Sequence, residues 1–344
     1  MACAGAGSKP QISVALGHVS SAVMLRFLIP LAMLAPALRA AEPPPVPRVQ
    51  AVPLPHHITS FQLDGRELTA CHYDPADARP FWYPLRASAE PSLTRMGHPH
   101  DPHGHSHHNS VWISHNEVNE LDFWGDRPAK RGRIVTVEIP REGYADGDEA
   151  ASMRQINHWL KDEDGSLQLI ELRRTEVRPL DGALSWFLII DLELSPPKGQ
   201  TVRFGATGFG LVAVRVARSL GVRDGGGRLL NSEGQVNEKA MFRLPARWCD
   251  ASGRIVNGEK GLAGVTLMNH PMNPRHPTAF HVRDDGWMGA CLNLDEPLAL
   301  ADGEKLRLRY GLWVHDGQPG SDEIEQHWQR FRDLPVADLA PGKP

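Results

Sequence analysis

Beyond residue 41 the sequence has no apolar run approaching the roughly 20 residues that a membrane-spanning helix requires, which excludes a multi-span membrane protein for the mature chain. It also lacks any concentrated positive face. Its 37 Lys and Arg stand against 41 Asp and Glu, for a net charge of -4, and the basic residues gather only in short patches such as Lys130 to Arg133. Phosphate backbones need such a face, so nucleic acid is excluded as a partner. Cysteine is scarce, with 4 in 344 residues and no C-x-x-C pair, which removes zinc ribbons and thioredoxin-type redox centres. Cys3 lies within an N-terminal leader, so Cys71, Cys249 and Cys291 allow at most one internal disulfide in the mature chain. No fixed-period repeat and no internal shift of composition marks a second folded domain.

The first 41 residues read as that leader. From Met24, MLRFLIPLAMLAPALRA places Arg26 before an apolar stretch from Phe27 to Leu38, with small residues Ala35, Ala37, Ala40 and Ala41 at its end. That is the pattern of a cleaved secretory signal peptide, and the stretch, broken by Pro30 and Pro36, is too short to span a bilayer. The expected location is the periplasm or the exterior, with no membrane attachment after cleavage. Residues 42–56, rich in proline, are expected to be an extended, poorly packed linker. A single domain is expected over 57–335 and a tail over 336–344.

The body alternates short β-branched segments with turn residues: 133–141, 166–177, 184–194, 200–216, 262–270, 278–283, 287–294 and 305–315 all have strand character. The pairs Asp164-Gly165, Asp181-Gly182, Asp224-Gly225 and Asp302-Gly303 are hairpin-type turn signals. Strands of this number and spacing predict an all-β fold, a large antiparallel β-sandwich. One helix is expected near the C-terminus. In SDEIEQHWQRFRDL, Ile324, Trp328 and Phe331 share one face, and Asp322 with Glu325 has capping-box spacing.

Chemistry concentrates in RMGHPHDPHGHSHHNSVWISHNEVNELDFW, residues 95–124, which holds seven of the 17 histidines. Imidazole titrates near neutrality and ligates metals, so the cluster suits acid/base catalysis, a metal, or both. His103, His105 and His107, two apart in sequence, share one side of an extended segment and are the candidate ligands of a divalent metal. The same histidines also fit a solvated, composition-biased loop. The adjoining residues favour a site: Trp112 and Trp124 offer flat faces for the C–H surface of a sugar ring, while Asn119 and Asp122 suit its hydroxyls. Two further segments carry similar residues. LLNSEGQVNEKAMFRLPARWCD contains Asn231, Glu233 and Glu238, and NHPMNPRHPTAFHVRDDG contains Arg275, His276, His281 and Arg283. Each residue there has a purely structural alternative, since Asn-Pro and His-Pro steps build rigid turns and an arginine can simply pair with a neighbouring carboxylate.

Together RPFWYPL (79–85), Thr94-Arg95, His107-His108 with Trp112, Val118 to Trp124, GFG (208–210), NSEG (231–234), HPMNPRHPT (270–278) and HVR (281–283) resemble a secreted bacterial family labelled PmoA-like, or methane oxygenase PmoA. The resemblance spans about residues 57–335. It implies a β-sandwich of galactose-mutarotase type in sugar-degrading bacteria, and it does not imply methane oxidation, which needs membrane helices that this chain lacks. The family commonly reads Asp-His-Pro-His-His-Arg where this chain has Gly104 to Asn109, so a carboxylate and an arginine are absent while His105, His107 and His108 remain.

The expected function is an exported carbohydrate-active enzyme, a hydrolase, lyase or epimerase acting on a sugar or glycoside. Its catalytic candidates are His107, His108, His276, His281 and Glu233. Its substrate-binding candidates are Trp112, Asn119, Asp122, Trp124, Asn231, Arg275 and Arg283. The alternative is a non-catalytic periplasmic module that binds glycan or metal. An enzyme is expected to bring segments 98–124 and 270–283 into one deep pocket; a binding module, to show a shallow aromatic surface.

Overall fold

The computed structural model describes residues 45–87, 91–98, 100, 104–125, 128–180, 185–255 and 261–339. The leader lies outside them, as do Asp101, His103 and Asp181-Gly182. The described residues from Val46 to Leu339 cluster as one compact unit.

Strand alternation explains the architecture. In Val111–His115, Val111 and Ile113 point into the main core while Trp112 points the other way. Thr207–Arg215 repeats the pattern, with Val212 and Val214 inward and Ala213 outward. These strands belong to a nine-stranded antiparallel sheet. Its spatial order is Val49–Leu54, Ile58–Leu63, Arg66–His72, Phe81–Leu85, Val111–His115, Thr207–Arg215, Trp287–Asn293, Thr278–Arg283 and Leu244–Ala246.

The second large sheet runs Arg228–Asn231, Trp248–Arg254, Leu262–Asn269, Leu306–Asp316, Trp186–Ser195, Leu167–Pro179, Ala151–Lys161 and Gly132–Glu138. Its inward residues, among them Leu169, Leu188, Ile190, Leu308 and Leu312, join those of the first sheet in one continuous core. The fold is therefore an all-β sandwich. No helix among the described residues is long and apolar enough to cross a membrane.

The outer faces differ. On the second sheet, Phe187, Ile189, Trp248, Met268 and Trp313 form a separate apolar cluster, which the helix Ser321–Asp333 covers with Ile324, Trp328 and Phe331. On the first sheet, Phe81, Trp112, Trp124, Ala213 and Trp287 form another, and no helix of that length covers it among the described residues.

Several local expectations need correction. The folded body begins at Val49, not near His57: Val49–Leu54 pairs with Ile58–Leu63, burying Val49 and Ala51. Pro53 is tolerated because the strand lies at the edge of the sheet. Among the described residues no side chain caps the C-terminal helix, which starts from Gly320. Glu325 instead accepts hydrogen bonds from Trp248 Nε1 at 2.8 Å and Arg247 Nη2 at 3.2 Å. Asp164-Gly165 does turn a hairpin, but Asp224-Gly225 lies in the short helix Val222–Gly225, and Gly226 supplies the left-handed residue. Asp302-Gly303 links strands of different sheets, since Leu298–Leu300 pairs with Val202–Phe204. Cys71, Cys249 and Cys291 are all buried free thiols, so they form no disulfide.

Candidate functional site

The outward residues of five neighbouring strands build a depression on the first sheet. One cross-strand row reads Phe81, Trp112, Ala213, Gly289 and His281; the row beside it brings Arg215, Trp287 and Arg283 together. Large side chains thus flank the two small ones, Ala213 and Gly289. A Cβ at Gly289 would lie 3.2 Å from the Trp287 ring, so glycine lets that indole settle over the sheet. The result is a cavity of about 810 Å³ lined by His105, His107, His108, Asp122, Trp124, Phe209, Arg215, Glu238, His281, Arg283, Asp285 and Trp287, among others. That is the size range of small-molecule sites.

Trp112, Trp124 and Trp287 pack on one another with centroid separations of 5.2 to 5.5 Å. His108 stacks on Trp112 at 5.5 Å and on Trp287 at 5.3 Å. The histidine segment is a turn over Gly104–His107, closed by the His108 N–H on the His105 carbonyl at 3.2 Å, rather than an extended strand. Buried Arg79 anchors it by donating from Nη1 to the His107 carbonyl at 2.9 Å and from Nη2 to the Trp124 carbonyl at 2.8 Å. Trp124 is aimed by Asp122, whose Oδ1 accepts the N–H groups of Trp124 at 2.9 Å and Gly125 at 2.8 Å.

Two histidines are held neutral. Burial, reinforced by the charges of His107 and Arg215, pushes the His108 pKa far below its usual value, and its buried Nδ1 has no hydrogen-bond partner among the described residues. His281, 3% exposed, is pushed down to about 4, mainly by burial. Its Nδ1 lies 3.1 Å from the Gly208 carbonyl oxygen, which can only accept. Nδ1 therefore carries the proton, and Nε2 is left as a bare base.

The acids of the pocket are occupied. Burial raises the Asp285 pKa, but hydrogen bonds from Arg215 at 2.8 Å and His98 at 3.2 Å outweigh it and hold the carboxyl below its usual value. Glu238 behaves alike. Burial is overcome by the Asp284 N–H at 2.9 Å and by Arg283 at 2.6 Å.

Of the residues expected from sequence, His105, His107, His108, Asp122, Trp124, His281 and Arg283 meet in this pocket. Trp112 lies beneath it, fully buried, and stacks on His108 rather than facing a ligand. Five others do not come to it. His276 stacks on Trp328 and hydrogen-bonds Asn269. Glu233 is exposed and pairs with Arg247. Asn231 shapes its own turn by accepting the N–H groups of Glu233 and Gln235. Arg275, in a left-handed turn, donates to the carbonyls of Glu296 and Pro297. Asn119 is also a left-handed turn residue and lines a second hollow with Glu117, Glu120 and Arg203.

The proposed metal set is not assembled among the described residues, where no three His, Cys, Asp or Glu side chains have ligating geometry. His103 lies outside the described residues.

Arg215, Asp285, Trp287 and Phe209 line the pocket without having been singled out from sequence. One signal was present: His281, Arg283, Asp285 and Trp287 alternate at i, i+2, i+4 and i+6 across a tight turn.

A model described as a family of unknown function (DUF6807) matches residues 59–329. No curated protein matches the chain.

Proposed function

The chain belongs to the DUF6807 family, and from the pocket on its first sheet we propose an exported carbohydrate-active enzyme that moves protons with neutral histidines. The observation that carries the reading is the convergence of His108 and His281, from the two segments singled out in the sequence, on one aromatic-lined cavity. Trp124 and Trp287 supply apolar faces for a sugar ring, and Asn116 offers a buried Oδ1 that lacks a partner among the described residues.

Within this reading, a lyase or epimerase is favoured over a two-carboxylate hydrolase. Glycoside hydrolysis of that type needs one carboxyl kept protonated by a raised pKa. Here Glu238 and Asp285 are held low by Arg283 and Arg215, and Asp122 Oδ1 is bonded to backbone N–H groups. His281, by contrast, has its Nε2 lone pair ready at neutral pH to take a proton from a sugar C–H or O–H. The imidazolium so formed at His281 would pass that proton to the leaving oxygen or back to carbon, with His107 and His108 lining the same cavity.

The test is a panel of saccharides and glycosides incubated with the mature protein in D₂O and followed by NMR. Solvent deuterium entering a ring carbon, or a new ring alkene, is the expected outcome. Cleavage to two sugars with no carbon-bound deuterium would mean hydrolysis, and binding without turnover would leave the glycan-binding module.

A further inference from the structure

Arg215 is 1% exposed, yet it lines the pocket. Its Nη1 donates to Asp285 Oδ1 at 2.8 Å. Its Nε and Nη2, the two donors of the side-on edge, have no hydrogen-bond partner among the described residues. A buried guanidinium with half its donors unmet is costly, and such an edge matches the two oxygens of a carboxylate.

The surroundings fix Arg215 in place without satisfying it. The Asp285 Oδ2 atom contacts His98 at 3.2 Å, and its backbone carbonyl accepts from Arg95 at 3.0 Å. The remaining pocket acids are committed: Glu238 to Arg283 and the Asp284 N–H, Asp122 Oδ1 to two backbone N–H groups. Arg223, exposed on the pocket wall, has no ion-pair partner among the described residues. The three arginines and three carboxylates of the lining balance in charge, so what the cavity leaves open to an anion is the pair of unmet donors on Arg215. His108 Nδ1, close enough to feel the charge of Arg215, is a second buried polar atom without a partner among the described residues.

We propose that the substrate is an acidic saccharide whose carboxylate displaces the cover over Nε and Nη2 of Arg215, both closed to solvent in this structure, and seats side-on against them. This rests on the reading of the pocket as a saccharide site and adds the substrate class.

Calorimetric titration of the mature protein compares glucuronate with its methyl ester, with glucose, with a hexose sulfate and with acetate, and repeats the series on Arg215→Lys. Glucuronate is expected to bind at least about tenfold more tightly than the ester and glucose, and the lysine variant to lose that preference because it keeps the charge but not the fork. The ester comparison uses the unaltered protein, so it stands even if the variant fails to fold. Equal affinity for acid, ester and glucose overturns the carboxylate assignment while leaving the saccharide reading intact. Preference for the sulfate overturns it too. If acetate binds the unaltered protein but not Arg215→Lys, and no sugar binds, the fork is upheld and the saccharide reading fails.

Discussion

His281 Nδ1 sits 3.1 Å from the carbonyl oxygen of Gly208, a contact that only an N–H can make. The glycine also gives the ring room, since a Cβ at position 208 would lie 3.1 Å from that nitrogen and press it aside by a few tenths of an ångström. Gly208→Ala should therefore lower turnover several-fold by disturbing the ring, with a smaller effect on the melting temperature, as steady-state kinetics beside calorimetry would show.

The neutral histidines make stability fall with acid. His281 and His115 have folded pKa values pushed down to about 4, chiefly by burial, against 6.5 for the free side chain. Between those values the unfolded chain binds protons that the folded one refuses. Stability is then highest above pH 6.5 and is lost as pH falls toward 4, by about 3 kcal/mol per histidine if the full shift is expressed. Urea titrations at pH 7.5 and 4.5 check this, and a flat profile would contradict it.

The second sheet buries a charged group with little tolerance for change. Glu171 accepts from Asn157 Nδ2 at 2.8 Å, from Trp159 Nε1 at 2.7 Å and from Arg173 Nε. Glu171→Gln leaves the buried Arg173 uncompensated, and chemical denaturation should record a loss of about 3–5 kcal/mol.

Gly311 decides how closely the C-terminal helix approaches. A Cβ there would come within 2.8 Å of the Phe331 ring, which is itself buried. Gly311→Ala is expected to cost about 1–3 kcal/mol through overpacking, read as a lowered melting temperature with the pocket's ligand affinity unchanged.

The fold was legible because alternation alone separates inner from outer faces: Val111 and Ile113 from Trp112, Phe280 and Val282 from His281. The site was only partly so. Residue type flagged His108, Trp124, His281 and Arg283, but density of Asn, Arg and His misled at His276 and Arg275. There the prolines build a turn against Trp328 and the Glu296 backbone, which the sequence does not distinguish from a binding loop. Arg215 was invisible because it ends the apolar run Leu211 to Val214, and its use depends on a partner 70 positions away, Asp285. The strand Val49–Leu54 was missed because the surrounding prolines masked the inward alternation of Val49 and Ala51.

Residues outside the pocket provide an internal control. His276→Ala and Glu233→Ala should keep wild-type turnover on any substrate found, within the error of steady-state assays, because neither side chain lines the cavity.

The decisive experiment is the turnover of His281→Gln on the first saccharide that the wild-type protein converts, with folding verified by circular dichroism. Loss of about a hundredfold or more in kcat, with KM little changed, is the result expected of a lost proton acceptor. Full kcat in the variant would contradict it and remove His281 from the chemistry.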